Sequence, residues 1–234
     1  GTPTAALITA GLPTNFDPQF VSRLYQGLAN LAERHRVAIV GGETTTNPER
    51  MLLSICLLGI VPRERCTLRS GAQAGDAIFV TGELGGSLAG KHLDFEPRLA
   101  EARWLVERFE VHSMIDLSDG LATDLRHVLD ASRVGAELLK TAIPISGAAR
   151  WRSRTKASPK PPLLAALTDG EDFELLFTLS RKDAVPLLAQ WKRQFPDLAL
   201  RCIGKTTAQP GLTLRDKTGS QLLTAHGYVH FDKP

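Results

Sequence analysis

Three apolar runs in this 234-residue sequence end in clusters of glycine and carboxylate. Val37-Ala38-Ile39-Val40 leads into Gly41-Gly42-Glu43. Met114-Ile115 leads into Asp116-Leu117-Ser118-Asp119-Gly120. Ala165-Ala166-Leu167 leads into Thr168-Asp169-Gly170-Glu171-Asp172. Glycine lets a ligand approach the main chain closely, and carboxylates at strand ends converge in a crevice beside a sheet. Mg²⁺ takes hard oxygen ligands in near-octahedral geometry, usually a few carboxylates with waters and substrate phosphates. The chemistry these residues suit is therefore metal-assisted handling of a phosphate. Asp116 and Asp119 straddle a strand-to-helix junction, so both side chains are placed to face one crevice. Asp and Gly are also ordinary turn formers, and Asp an ordinary helix cap. The reading therefore rests on the threefold recurrence and on no single cluster.

A fourth glycine-rich stretch competes with these. Gly85-Gly86-Ser87-Leu88-Ala89-Gly90-Lys91-His92 nearly matches the phosphate-cradling pattern GxxxxGK[ST] and follows a predicted strand. His92 stands where the metal-holding hydroxyl belongs, so the match fails at the residue that matters most. The protein-kinase motifs, HRD with its downstream Asn and DFG, are also absent.

The elements that must carry these clusters follow from apolar spacing. Ala5 to Leu12 reads as a strand closed by Pro13. Asp17-Pro18 opens a helix whose apolar face runs Phe20, Leu24, Leu28 and Leu31. Val37–Val40 reads as a buried strand, and Met51–Val61 and Ala77–Thr81 as two more. A helical stretch over Pro97–Phe109 precedes a strand at Ser113–Leu117. Ser118-Asp119 then opens a helix with Leu121, Leu125, Val128 and Leu129 on one face. Arg152–Pro162, with almost nothing apolar, reads as an exposed loop. Glu174–Leu179 and Leu198–Ile203 read as strands, with a helix over Arg181–Phe195 between them. Alternating strands and helices argue for an α/β fold in α+β layers. No internal repeat interrupts the pattern.

Composition narrows the class. Hydrophobic residues make up 43%, enough for a proper core. No window approaches the roughly 18–20 continuous apolar residues of a membrane span, and no secretory signal opens the sequence. Twenty-eight basic against 25 acidic residues leave a net charge of +3, too balanced to argue for nucleic acid. Cys56, Cys66 and Cys202 are odd in number and lack CxxC spacing, which reads as reduced thiols in a cytoplasmic protein.

Taken in order, the clusters resemble the thiamine-monophosphate kinase family. Its wider superfamily includes aminoimidazole-ribonucleotide synthetase, selenophosphate synthetase and the hydrogenase-maturation carbamoyl-dehydrating protein. The resemblance is carried by Val40–Thr45, Leu68–Ala72 with Gly75-Asp76, Val80–Gly82 with Leu84-Gly85, Ile115–Leu121 with Asp124-Leu125, Gly170–Thr178, and Gly227–Phe231. The GEDFELLFT stretch points to the kinase over its relatives. It implies a two-domain PurM-like architecture whose N-terminal domain is incomplete in this chain. Residues 1–64 would be the C-terminal part of an ATP-binding and dimerisation domain, and 65–234 a C-terminal α/β domain. It further implies direct, Mg²⁺-assisted phosphoryl transfer from ATP to thiamine monophosphate, giving thiamine diphosphate, in a cytoplasmic homodimer with several Mg²⁺ ions.

Residue by residue, the resemblance gives Gly42, Glu43, Arg69 and Ser118 as ATP contacts. It gives Glu43, Asp116 and Asp119 as metal ligands, and Glu171 with Phe231 or Tyr228 as substrate contacts. Three departures accompany it. The family's earliest motifs, a GDDAA loop and two Asp-containing segments after it, are absent, so the chain reads as N-terminally truncated and its metal site as partial. Glu43 replaces an Asp. Asp169-Gly170 stands where Gly-Gly is usual, adding a carboxylate that would repel phosphate. The alternatives are another ATP-using synthetase of the superfamily, or a truncated nucleotide-binding module without turnover.

Overall fold

The computed structural model describes residues 1–154 and 160–228. Strand β1 (Thr2–Leu12) alternates as a one-sided strand should, burying Ala6, Ile8, Ala10 and Leu12. Asp17 caps α1 (Pro18–Arg34), its Oδ1 accepting the Gln19 N–H at 2.9 Å, and Pro18 occupies a position where a missing N–H costs little. β2 (Ala38–Thr46) pairs parallel with β1, and β3 (Leu52–Ile60) pairs antiparallel, giving the sheet order β2-β1-β3. The chain divides into two units, Gly1–Cys66 and Thr67–Pro234, and this sheet with α1 forms the first.

Two expectations fail here for one reason. Val37–Val40 is not buried: β2 is exposed along its whole length, with Val40 at 60%. On α1, Leu24 and Leu28 are half-buried but Phe20 and Leu31 are exposed. A three-stranded sheet is too narrow to cover the flanks of a helix, and β2 and β3 are both edges. On β3, Leu57 and Leu58 are neighbours on opposite faces, yet both are exposed.

The second unit is built on a seven-stranded sheet of order β10-β9-β6-β8-β4-β7-β5. Its strands are β4 (Ala77–Thr81), β5 (Val111–Asp116), β6 (Gly135–Leu139), β7 (Leu175–Leu179), β8 (Leu200–Thr207), β9 (Leu212–Asp216) and β10 (Gly219–Leu222). All neighbours are antiparallel except β6 and β9. β4 and β7 are buried at every residue because both sheet faces carry a layer. Ile78, Val80 and Leu176 join a core with Leu121, Leu125 and Val128 of α3 (Leu121–Ser132) and Ala166 of α5 (Pro162–Thr168). Phe79 and Phe177 stack at 5.5 Å on the other face. They pack there with Trp104 and Leu105 of α2 (Leu99–Arg108), and with Leu187 and Trp191 of α6 (Ala184–Gln194).

The apolar run Ala165–Leu167 is a helix and not a strand: Pro162 starts it, and alanines favour it. The stretch expected as an exposed loop lies partly outside the described residues, at 155–159. Its flanks are ordered, since Arg152 ends α4 (Gly147–Arg152) and both Arg152 and Lys160 form ion pairs described below. No helix among the described residues is long and apolar enough to cross a membrane.

Candidate functional site

β5 ends at Asp116, and α3 begins at Leu121; between them lies a turn with its acidic side chains in view. Asp116 is exposed, while Ser118 and Asp119 are half-buried. The helix has no conventional side-chain cap, because Gly120, at φ +104°, stands at the capping position. Asp124 substitutes from inside the first turns. Its carboxylate accepts the Asp119 N–H at 3.1 Å and the Gly120 N–H at 3.0 Å. Burial pushes the Asp124 carboxyl up to about 7; these two N–H groups oppose the rise, and the Asp119 and Asp116 charges add to it. Ligand atoms of Asp119, Asp124 and His127 all lie within 4.8 Å of one another. The structure thus collects hard oxygen donors and an imidazole around one turn, with negative charge that no described basic side chain neutralises.

The 169–174 loop lies directly on that turn. The Glu171 N–H donates to the Ser118 carbonyl, the Phe173 N–H to the Leu117 carbonyl, and the Leu117 N–H to the Glu174 carbonyl, each at 2.8 Å. A Cβ at Gly170 would sit 2.5 Å from the Ser118 carbonyl oxygen, so only glycine passes there. Glu171 and Phe173 themselves hold positive φ, +57° and +51°, a conformation that costs non-glycine residues of order 1 kcal/mol or more.

Four carboxylates occupy this short loop, and three are spent on structure. Asp169 takes Arg152 at 3.2 Å, Lys160 at 2.5 Å and the Gly86 N–H at 3.0 Å. Its charge is compensated, which removes the expected repulsion of a phosphate. Buried Asp172 accepts the Gly85 N–H on both oxygens, at 2.9 and 3.1 Å, while burial raises its carboxyl to about 7. Burial likewise pushes Glu174 up, but Arg98, Lys91 and Thr81 outweigh that and hold it below the ordinary range. Glu171 is left exposed, with its main chain fixed and its carboxylate turned to solvent.

The same contacts settle the phosphate-cradle look-alike. Gly85 and Gly86 aim their N–H groups at Asp172 and Asp169, the Ser87 hydroxyl donates to the Glu171 carbonyl at 2.5 Å, and Lys91 pairs with Glu174 at 2.7 Å. The donors that would hold a phosphate already hold the chain's own carboxylates. Phe95 adds a ring stacked 4.1 Å from Phe173, so Gly85–Arg98 brackets the Glu171 loop at almost every residue.

The chain's end reaches the turn from another side. The Tyr228 N–H donates to the Asp119 carbonyl at 2.9 Å. Phe231 lies outside the described residues. Glu171 and Tyr228 are therefore tied to consecutive carbonyls, Ser118 and Asp119. Arg69 is exposed, and its carbonyl accepts the Ser132 hydroxyl at 3.2 Å, at the last residue of α3. Gly42 and Glu43 belong to the first unit. A Cβ at Gly42 would meet the Ile8 carbonyl oxygen at 1.8 Å, and exposed Glu43 borders a depression of about 420 Å³ with Val40 and Tyr25. Sequence reasoning gave no role to Asp124 or His127. The i, i+3 spacing of Asp124 and His127 after Asp119-Gly120 was the available signal.

The fold is a mixed α/β one with helices on both faces of the larger sheet, and the comparisons say which family it belongs to. Residues 1–61 match the family described as AIR synthase related protein, N-terminal domain. The thiamine-monophosphate kinase of Rhodopirellula baltica is 39% identical over 231 residues, covering 98% of this chain and 70% of that protein. The enzyme of the same name from Escherichia coli K12 is 34% identical, covering 93% and 71%. A solved structure described as AaThiL complexed with AMPPCP and TMP superposes with a TM-score of 0.79 at 29% identity, covering 99% of this chain and 74% of that one. Escherichia coli HypE, a hydrogenase maturation protein, reaches 0.80 at 18% identity and shares the fold. The chain belongs to the thiamine-monophosphate kinase family.

Proposed function

We propose that the protein phosphorylates thiamine monophosphate to thiamine diphosphate, with ATP as donor. The observation that carries this is the Asp116–Asp124 turn, rich in uncompensated carboxylate and laid against exposed Glu171, in a chain of this family. A phosphate oxygen of thiamine monophosphate attacks the γ-phosphorus of ATP, the bond to the β,γ-bridging oxygen breaks, and ADP leaves. Such transfer depends on positioning and charge neutralisation more than on covalent catalysis.

The donor set fits Mg²⁺: hard oxygens crowd one turn, and burial lifts the Asp124 carboxyl with the Asp119 and Asp116 charges adding to the rise, a repulsion that a cation would relieve. Asp116 and Asp119 would hold it, Glu43 of the first unit is assigned as a metal ligand in its own right, and Mg²⁺ when bound neutralises phosphate charge. Arg69 presents a planar fork of donors suited to phosphate oxygens, and Ser118, Gly42 and Glu43 contact ATP. Glu171 receives the cationic thiazolium and aminopyrimidine, with Tyr228 or Phe231 against the rings.

We further assign residues 1–64 to an ATP-binding and dimerisation domain and 65–234 to a second α/β domain. Exposed Leu52, Ile55, Leu57, Leu58 and Ile60 on β3 support a homodimer through the first unit. Three free cysteines suit the reducing cytoplasm. Chromatographic detection of thiamine diphosphate from ATP, Mg²⁺ and thiamine monophosphate tests the proposal, with Glu171→Ala as control. Product that vanishes in the control supports it, and ATP binding without product overturns it.

A further inference from the structure

We propose that Arg126 is a positioning residue that clasps Leu223–Tyr228 onto the N-terminal end of α3, setting the Tyr228 ring beside Asp119 as one wall of the thiamine subsite. The inference rests on the function proposed above and adds a residue outside the site itself. An arginine in the second turn of a helix ordinarily runs its stem over apolar surface and leaves its head in water. Arg126 instead turns its head onto carbonyls. Its guanidinium donates to Ala122 at 2.9 Å, to Ala225 at 2.8 Å, and to the Leu223 carbonyl. A planar fork with five donors can bridge one helical carbonyl and two from the tail, which a lysine cannot do with the same geometry.

The tail has no regular secondary structure to order it, although Leu223 lies in the core and Ala225 packs against it. β10 ends at Leu222, and residues 223–228 form no further strand or helix. Buried Leu223 anchors the start, and its N–H donates to the Leu212 carbonyl. At the other end the Gly227 N–H donates to Thr123 Oγ1 at 2.8 Å, and the Tyr228 N–H to the Asp119 carbonyl at 2.9 Å. Arg126 holds the middle. The fit at Gly227 is tight, since a Cβ there would lie 1.8 Å from the Asp119 carbonyl oxygen. The main chain is thus pressed against the turn while the Tyr228 side chain remains 59% exposed. Because Glu171 is tied to the adjacent carbonyl, the clasp sets an aromatic ring and a carboxylate on consecutive peptide units. A flat cationic heterocycle suits that pair.

The test compares Arg126→Gln, Gly227→Ala and the double variant in the full protein, with thermal unfolding as the check on folding. Each single substitution is expected to raise KM for thiamine monophosphate about tenfold and leave KM for ATP within about twofold. The double variant should be no worse than the worse single, since both displace the same segment. Hydrogen exchange at the Gly227 and Tyr228 amides should accelerate in Arg126→Gln. An equal rise in both KM values, or effects that multiply in the double variant, would overturn the clasp. If the unsubstituted protein makes no thiamine diphosphate, the functional reading fails instead. Amide exchange then decides the clasp alone, and unchanged protection in Arg126→Gln sinks it.

Discussion

The Asp116–Asp124 turn and the Gly85–Arg98 bracket use the same residue types to opposite ends. Both carry glycine and charged residues and lie close to the Glu171 loop. In the bracket the groups that meet the loop have found complements: Lys91 and Arg98 pair with Glu174, and glycine amides donate to Asp169 and Asp172. In the turn Asp124 accepts two N–H groups beside the His127 imidazole, while Asp116 and Asp119 crowd against it with no ion pair of their own among the described residues. Residue type alone therefore separates neither from a phosphate site. What separates them is whether the fold has already satisfied the donors and acceptors it gathered, and the region left unsatisfied is where a ligand belongs.

The comparison breaks first at Asp119. Asp119→Ala should cut kcat/KM at least about a hundredfold, while the melting temperature holds or rises because a like charge beside Asp116 and Asp124 is gone. A large loss of stability in that variant would mean that the turn, too, is structural. Glu174→Ala should do the reverse, costing about 3 kcal/mol in urea denaturation by leaving Arg98 and Lys91 without their buried partner.

Asp172 supplies a pH test. Its folded pKa, about 7, lies above the ordinary aspartate value near 3.9, so the folded state binds the extra proton. The resulting stability is complete below the unfolded pKa and is lost as pH rises through about 7. Between pH 5 and 7 Asp172 should contribute a loss on the order of 2 kcal/mol, and Asp172→Asn should remove that share and leave the similar one due to Asp124. A parallel pH profile in the variant would remove Asp172 as the cause. The smallest effect is expected at His92, whose Nδ1 lies 2.9 Å from the Ser87 carbonyl. His92→Thr restores the phosphate-cradle pattern, yet should leave ATP affinity unchanged and cost about 1 kcal/mol at most. Tighter ATP binding would show that the bracket is a nucleotide site after all.

Local chemistry made much of this legible. Asp17-Pro18 announced a helix start, and Leu121, Leu125, Val128 and Leu129 announced the face on which α3 is buried. The glycines flanking Asp119 and Glu171 marked turns where the backbone must pass close to another chain segment, and the two turns do touch through Ser118. Long-range pairing was hidden. Nothing in the spacing of Gly85–Lys91 says that its partners are Asp169, Asp172 and Glu174. β6 was missed because outward-facing Glu137 interrupts its apolar run to meet Ser220, Lys205 and Arg215. Val37–Val40 looks like core by composition, and only its place at the edge of a narrow sheet leaves it open.

The bracket's contacts also impose an order on folding. Gly85 reaches Asp172 across 87 residues, and Arg98 reaches Glu174 across 76. During synthesis Lys91 and Arg98 leave the ribosome long before their carboxylates exist. The Glu171 loop, held in unfavourable backbone angles, cannot settle until β4 and β7 have paired and brought the bracket to it. The exposed carboxylate of Glu171 is thus among the last parts of the second unit to reach its final place.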